Sequence, residues 1–296
     1  MKHNYLNNKD ILKEIHKSKN TYCWFLTPAH ADYDMIITDN KKITKKDILQ
    51  AKKNRAERLG KLAYEAAVAQ EIKGTKLDEY IVKTTKIPES DVVFRVMTWE
   101  HVPISDVVKT VKKKGKKVEV VEEDSTETEY DADTAEPVAP TKYVKVNFPP
   151  FKHIAIERDA EDNLVQVVVG ISHWQGNPES GNYSRDHGAM TNKLAHMFMK
   201  LCERYAMRSN WRGYTYNDEM RSQALLQLSQ IGLQFDESKS QNPFAYYTAA
   251  ITNSFTRVLN IEKRNQNLRD DILQMNNLNP SYTRQMANSG GGGHEE

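Results

Sequence analysis

Apolar residues recur every three or four positions from Met190 to about Met275, the spacing that gathers them on one side of an α-helix. The predicted helices span 191–205, about 217–232 and a longer segment that begins at Asn242. Asn242 followed by Pro243 is typical of a helix start, because asparagine caps the first turn and proline fits the first helical position. A helix with one apolar stripe buries that stripe against a neighbour. The sequence therefore predicts a mainly α protein with a C-terminal helical bundle.

The N-terminal half of the chain has shorter and more varied patterns. An apolar repeat within 4–19 predicts a short helix, and a second repeat predicts a helix over 44–72 that Thr44 caps. Runs of β-branched residues predict strands at 91–97, 143–148 and 164–171. We expect these strands to form one small sheet, so this part of the chain is predicted to be α+β.

Between the first two predicted strands lies a strongly acidic stretch. Residues 118–141 carry nine Asp and Glu and neither Lys nor Arg, directly after a basic run at 112–117. The stretch also lacks leucine, isoleucine and phenylalanine, so it cannot bury enough apolar surface to offset the entropy of ordering. We predict an acidic disordered linker over 118–142 that acts as a solvated spacer. The alternative interpretation is that this acidic stretch mimics the charge of DNA.

Composition argues against several classes of protein. The chain has 296 residues with 42 Lys and Arg against 40 Asp and Glu, so any nucleic-acid surface must be local. No stretch approaches the roughly 18 consecutive apolar residues of a membrane-spanning helix. Cys23 and Cys202 lie far apart without metal-ligand spacing, which suits a reducing cytosol. The GxxxxGK[ST], GxGxxG, HExxH and GxSxG motifs are absent. We therefore predict no enzyme, no metal and no cofactor, and expect the function to lie in a binding surface.

The third predicted helix has two distinct faces. Its expected buried stripe consists of Phe244, Tyr247, Ile251, Phe255 and Val258. Its other face, which we call the polar ridge, carries at spacings of 7, 4, 3 and 4 the residues Tyr246, Asn253, Arg257, Asn260 and Arg264. An aromatic ring offers base stacking, and asparagine and arginine offer hydrogen bonds to base edges and phosphates. The spacing alone fits either a nucleic-acid surface or an ordinary solvated helix face.

The helical block resembles region 2 of bacterial primary-type sigma factors through three segments in the same order, LAHMFMKLCERY, NDEMRSQALLQLSQIGLQFD and NPFAYYTAAITNSFTRVLNIEKR. With WRGY at 211–214 and FDESKSQNPFAYYTAAITNSF at 235–255, it is more similar still to the late-transcription sigma factors of large myovirus-type tailed phages. NYLNNKDILKEI at 4–15 resembles the start of that phage family. The resemblance covers about 190–275 and 4–19 and leaves the residues between them unexplained.

The resemblance implies roles for individual residues. In that family the helix at 217–230 binds a coiled coil in the clamp of the largest polymerase subunit, with contacts that correspond here to Glu219, Met220, Ser222 and Gln223. The aromatic residues that melt the promoter correspond to Phe244, Tyr246 and Tyr247. The residues that read the upstream edge of the −10 element correspond to Asn253, Ser254 and Arg257. Contacts to phosphates would continue onto Asn260, Lys263 and Arg264.

Some features depart from the family pattern. Ala250 and Ile251 stand where primary sigma factors have paired tryptophans, which form a wedge beside the first unpaired base. The smaller side chains here make a smaller wedge. A T/A-rich target, whose bases unstack easily, is therefore favoured. Only 31 residues follow Asn265, too few for the helix-turn-helix that reads a −35 element. The phage family relies instead on a small co-activator and on the sliding clamp, which it holds by a hydrophobic and acidic tail. SGGGGHEE at 289–296 has the acids without a hydrophobic anchor.

The predicted organisation has six parts. They are an N-terminal helical segment at 1–21, an α+β region of unknown role at 22–117, the acidic linker at 118–142, strands that complete the sheet at 143–182, a sigma region 2-like helical domain at 183–275 and a tail at 276–296.

Together these patterns and the resemblance predict a phage-encoded sigma factor in the cytoplasm of the infected bacterial host. It would bind host core RNA polymerase and direct it to late promoters by recognising and melting a −10-like element. The expected partners are the polymerase clamp, promoter DNA and, by the resemblance, a late co-activator and the sliding clamp, with no membrane. A phage DNA-binding or interaction protein that acts without the polymerase is the alternative, and a structural virion component is a third interpretation.

Overall fold

The computed structural model describes residues 7–38, 43–70, 77–104, 143–159 and 163–290. The basic run at 112–117, the predicted acidic linker at 118–142 and the end of the tail at 291–296 lie outside the described residues. About half of the described chain is helical, and the rest includes a mixed sheet of five strands. The predicted mainly α class is therefore only partly right, because the sheet is a second major component of the fold.

The helices within the described ranges are α1 (Asn8–Asn20), α2 (Lys45–Ala69), α3 (Asn192–Ala206), α4 (Asn217–Ile231), α5 (Pro243–Met275) and α6 (Tyr282–Gly290). The first five follow the sequence predictions closely, and a side chain caps the start of each of them except α4. Asn7 accepts a hydrogen bond from the backbone N–H of Asp10 at the start of α1. Thr44 and Asp47 form a reciprocal capping box at the start of α2. No helix of the described chain combines the length and apolar character needed to cross a bilayer.

The strands of the described chain are β1 (Cys23–Phe25), β2 (Met35–Ile37), β3 (Val93–Met97), β4 (Phe151–Arg158), β5 (Leu164–Ser172), β6 (Trp174–Gln175) and β7 (Asn182–Tyr183). The five-stranded sheet has the order β1-β5-β4-β3-β2, in which only the β2–β3 pair is parallel. β6 and β7 form a separate antiparallel pair.

Two of the three predicted strands are confirmed and one is wrong. β3 and β5 match the predictions at 91–97 and 164–171, whereas the predicted strand at 143–148 is absent and β4 begins after Pro149 and Pro150. Proline has no N–H to donate to a sheet, so the two prolines mark the start of the strand rather than its end. Before them, Tyr143 forms only an isolated bridge with Ile104.

The chain divides into two compact units, one formed by residues 1–21 and 188–296 and the other by residues 22–187. The N-terminal segment therefore belongs with the C-terminal helices. In this helical unit the buried residues include Leu194, Phe198, Leu201, Met220, Ala224, Leu228, Tyr247, Ile251 and Phe255. Aromatic rings meet edge to face inside it, with ring centroids 4.8 Å apart for Phe198 and Tyr247 and 5.2 Å apart for Tyr205 and Phe255.

The other unit is built on the five-stranded sheet. On one face, α2 packs Ile48 and Ala51 against a cluster that includes Phe94 and Ile156. The opposite face holds the buried Arg95, whose guanidinium carbon lies 3.9 Å from the ring centroids of both Tyr33 and Phe151. The Nε of Arg95 donates to Nε2 of His153 at 3.0 Å. Cation–π contacts and this hydrogen bond thus stabilise a buried cation.

A second histidine of this unit makes its stability depend on pH. Nε2 of His101 lies 3.1 Å from the hydroxyl of Ser172, which also accepts from the Phe151 N–H at 2.8 Å. Burial, together with the charge of Lys152, lowers the pKa of His101 to about 4. The folded unit therefore holds His101 neutral, while the unfolded chain protonates it near its ordinary pKa of about 6.5.

We expect the free energy of unfolding of the sheet unit to fall as the pH drops from about 6.5 to 4. His101 contributes up to ~1.4 kcal/mol per pH unit in this window, because the unfolded state binds one more proton. His101→Gln keeps a hydrogen-bonding amide that does not titrate, so the difference between variant and parent should shrink as the pH falls. Denaturant titrations at several pH values measure this difference. Parallel pH profiles would contradict the assignment.

Candidate nucleic-acid interface

The start of α5 is held by two asparagines from distant parts of the sequence. Oδ1 of Asn242 accepts from the backbone N–H of Ala245 at 3.1 Å, and Oδ1 of Asn8 accepts from the N–H of Phe244 at 3.1 Å. The first N–H groups of a helix have no partner within the helix. Asn242 caps its own helix, as the sequence predicts, and Asn8 adds a second cap from α1.

One face of α5 is buried in the core of the helical unit. Tyr247, Ile251, Phe255 and Val258 are buried as the periodicity predicts. Phe244, which was expected in the same stripe, is partly exposed at 37%. The hydroxyl of Tyr247 donates to the carbonyl of Gly232 at 2.5 Å, and burial raises the pKa of Tyr247.

Burial changes the interpretation of two predicted DNA-binding residues. Tyr247 is fully buried and Ser254 almost so, because both lie on the side of α5 that faces the core. Neither side chain is available to DNA without rearrangement of the unit. Their expected roles in melting and reading the promoter are therefore revised to structural ones.

The remaining predicted DNA-binding residues are all exposed on α5. They are Phe244, Tyr246, Asn253, Arg257, Asn260, Lys263 and Arg264. Within the described part of the chain, Arg257, Lys263 and Arg264 form no ion pair with a carboxylate. Arg257 and Arg264 on the polar ridge, with Lys263 beside it, form a local basic surface on a chain of nearly balanced charge.

Tyr246 is exposed on one side and supported on the other. Its ring centroid lies 5.5 Å from that of Phe235 and 5.2 Å from that of Tyr247, both in edge-to-face geometry. Phe235 and Tyr247 are buried. The ring of Tyr246 is therefore anchored by the core while part of its surface remains open to a stacking partner.

A buried lysine on α1 fixes the loop that leads into α5. Nζ of Lys19 donates to the carbonyl of Phe235 at 2.7 Å and lies 3.4 Å from a carboxylate oxygen of Glu237. Lys19 continues the buried face of Ile11 and Ile15 at intervals of four residues. Sequence reasoning missed this contact, although a lysine in line with two buried isoleucines is the available signal.

The predicted polymerase-binding residues on α4 differ in how exposed they are. Glu219 and Ser222 are exposed and Gln223 is half-buried, but Met220 is fully buried with Ala224 and Leu228 in the core. The expected role of Met220 in binding the polymerase is thus revised, since its side chain has no open surface. Leu226, which is exposed and lies one turn after Ser222 and Gln223, is a candidate that the sequence reasoning missed.

Among the described residues, no group of three or more His, Cys, Asp or Glu side chains could hold a metal ion. Burial raises the pKa of Cys202 to about 11, so this thiol is a core residue at neutral pH rather than a reactive group. The surface features of α4 and α5 are the candidates for function.

Comparisons with known proteins give no match. No protein-family model matches the sequence, and neither the curated proteins nor the solved structures contain a significant match.

We expect Lys19→Met to destabilise the helical unit by about 1–3 kcal/mol, because it leaves a buried carbonyl and a carboxylate without their charged donor. Lys13→Met is the matched control, since Lys13 is exposed on the same helix. Denaturant unfolding followed by far-ultraviolet circular dichroism at the helix band measures both variants. Equal stability of the two variants would show that the Lys19 contact does not hold the loop.

Proposed function

We propose that this chain is a sigma-type transcription factor that binds bacterial core RNA polymerase and recognises and melts a −10-like promoter element. The observation that carries this proposal is the exposed polar ridge on α5, which combines Tyr246, Asn253, Arg257, Asn260 and Arg264 on one side of a helix whose other side is buried. The order of the helical segments, which resembles sigma region 2, supports the same function. The proposals that the chain comes from a phage and that it acts at late promoters rest on that resemblance alone.

The middle of the ridge has the chemistry of base recognition. Asn253 and Arg257 lie one helical turn apart, so their side chains can reach neighbouring base edges. Arginine pairs well with guanine and asparagine with adenine, and each good contact discriminates between bases by about 1–3 kcal/mol. Lys263 and Arg264 follow toward the C-terminus and would contact phosphates, which contributes affinity without sequence preference.

The start of the ridge has the chemistry of strand opening. Tyr246 is anchored on Phe235 and partly exposed, and Phe244, in the same first turn of α5, is 37% exposed. A stacked aromatic ring contributes roughly 1–3 kcal/mol per base, which offsets the loss of stacking in an unpaired base. Ile251 is buried and cannot act as a wedge. In this chain we therefore assign the stacking role to Tyr246 and Phe244.

The polymerase contact is proposed on the exposed face of α4. Glu219, Ser222, Gln223 and Leu226 lie on adjacent turns opposite the buried residues Met220, Ala224 and Leu228. A DNA-binding protein that acts without the polymerase would need the ridge on α5 but not this second surface. The two functions therefore differ in whether substitutions on α4 affect transcription.

In vitro transcription with bacterial core polymerase on a supercoiled template tests the proposal. We expect promoter-specific transcripts only when this protein is present. In Arg257→Ala we expect the sequence preference at one position to fall by about 5- to 150-fold, which corresponds to ~1–3 kcal/mol. Lys200→Ala, which removes an exposed cation from α3, is the matched control and should behave as the parent. Failure to bind or redirect core polymerase would contradict the proposal.

Tyr246→Ala separates promoter opening from promoter binding. We expect this variant to bind duplex promoter DNA nearly as well as the parent but to open it slowly, because a stacking surface is lost. A template with a pre-melted bubble should restore transcription, and Tyr246→Phe should retain opening. Permanganate reactivity of unpaired thymines measures the open complex. Normal opening by Tyr246→Ala on duplex templates would remove Tyr246 from the mechanism.

A further inference from the structure

The C-terminal part of α5 extends past the buried core. After Val258, Asp270 is the one buried residue of this helix. Asp270 accepts from the backbone N–H of Ser281 at 2.8 Å and from its hydroxyl at 2.6 Å, and Arg284 pairs with Asp271 at 2.6 Å. These contacts tie the start of α6 to one side of α5 and leave another side open.

The open side carries a regular apolar stripe. Ile261, Leu268, Ile272 and Met275 are exposed at 46%, 60%, 51% and 83%. They follow one another at intervals of seven, four and three residues, so they share one face of the helix. Arg264 falls within this stripe, between Ile261 and Leu268. We call these five residues the C-terminal stripe.

The spacing of the C-terminal stripe matches the repeat with which two helices pack side by side. If two copies run antiparallel with Leu268 on the two-fold axis, Ile261 of one copy lies opposite Met275 of the other. The same alignment brings Arg264 next to Asp271 of the second copy, whose side chain is 52% exposed although one of its carboxylate oxygens pairs with Arg284 of the same copy. A parallel pair would place Arg264 against Arg264, which like-charge repulsion disfavours.

We infer that the C-terminal stripe is a self-association surface through which two copies of this chain form an antiparallel helix pair. The contact from Ile261 to Met275 spans about 22 Å of helix. Four apolar side chains from each copy bury less than the ~1,600 Å² of a standard protein interface, so the dimer is weak and reversible. Its population should rise across a range of about 1 to 100 μM.

Arg264 belongs both to the polar ridge and to the C-terminal stripe. If the ridge binds DNA, a point that rests on the proposed function, one Arg264 cannot contact a phosphate and the second copy at once. The dimer is therefore a form in which part of the DNA-binding surface is covered. Self-association itself requires neither DNA nor polymerase, so it is tested in their absence.

Sedimentation velocity of the full chain at about 1 to 100 μM, without DNA or polymerase, tests the inference. We expect a concentration-dependent dimer whose dissociation constant rises at least tenfold in Leu268→Asp, because two carboxylates would then face each other across the axis. Leu226→Asp is the matched control, since Leu226 is 53% exposed on α4 and lies outside the stripe. A monomer at all concentrations, or equal effects of the two substitutions, would overturn the inference.

Disulfide trapping tests the antiparallel register. Ile261→Cys mixed with Met275→Cys should give a disulfide-linked dimer under mild oxidation, and each variant alone should give little more than the parent. The parent sets the background from Cys23 and Cys202, of which Cys202 is buried. Efficient linkage of Ile261→Cys to itself would indicate a parallel pair and would overturn the proposed arrangement. This result would leave the proposed transcription function untouched, since neither assay involves the polymerase.

Discussion

Burial of Tyr247, Ile251 and Phe255 in the helical unit fixes the rotation of α5 about its axis. A helix with 3.6 residues per turn has only one face toward the core, so the placement of these side chains decides which residues point outward. Asn253 and Arg257 are exposed for this reason, and Ser254 is not. The partly open ring of Tyr246 also depends on this rotation, because its support comes from the buried rings of Phe235 and Tyr247.

Local signals made much of the helical unit predictable from sequence. Apolar spacing and capping residues such as Asn242 gave the helices and most of the ridge, because both act within a few residues. Met220 and Tyr247 fall in apolar repeats that predict their burial, and only the resemblance assigned them binding roles. The burial of Ser254 was harder to predict, since a side chain at the border of an apolar stripe is buried or exposed according to what packs on it. A resemblance of motifs aligns residues along the chain and does not supply that packing.

Contacts between residues that are distant in the sequence account for the features that were not predicted. Lys19 reaches the carbonyl of Phe235, 216 positions away, and no local pattern encodes such a pair. In the sheet, β4 begins after Pro149 and Pro150 and pairs with β3, which precedes the acidic stretch in the sequence, so no local pattern encodes this pairing either. β-branched content at 143–148 favoured a strand, but the pairing available to those residues was limited to the bridge at Tyr143.

The central claim is that the exposed face of α5 contacts promoter bases while α4 contacts the polymerase. Photo-crosslinking tests it most directly, with a benzophenone amino acid in place of Asn253 in one variant and of Ser222 in another. In a complex with bacterial core polymerase and promoter DNA, we predict crosslinks to DNA from position 253 and to the largest polymerase subunit from position 222. Crosslinks from position 253 to protein alone, with none to DNA, would contradict the account.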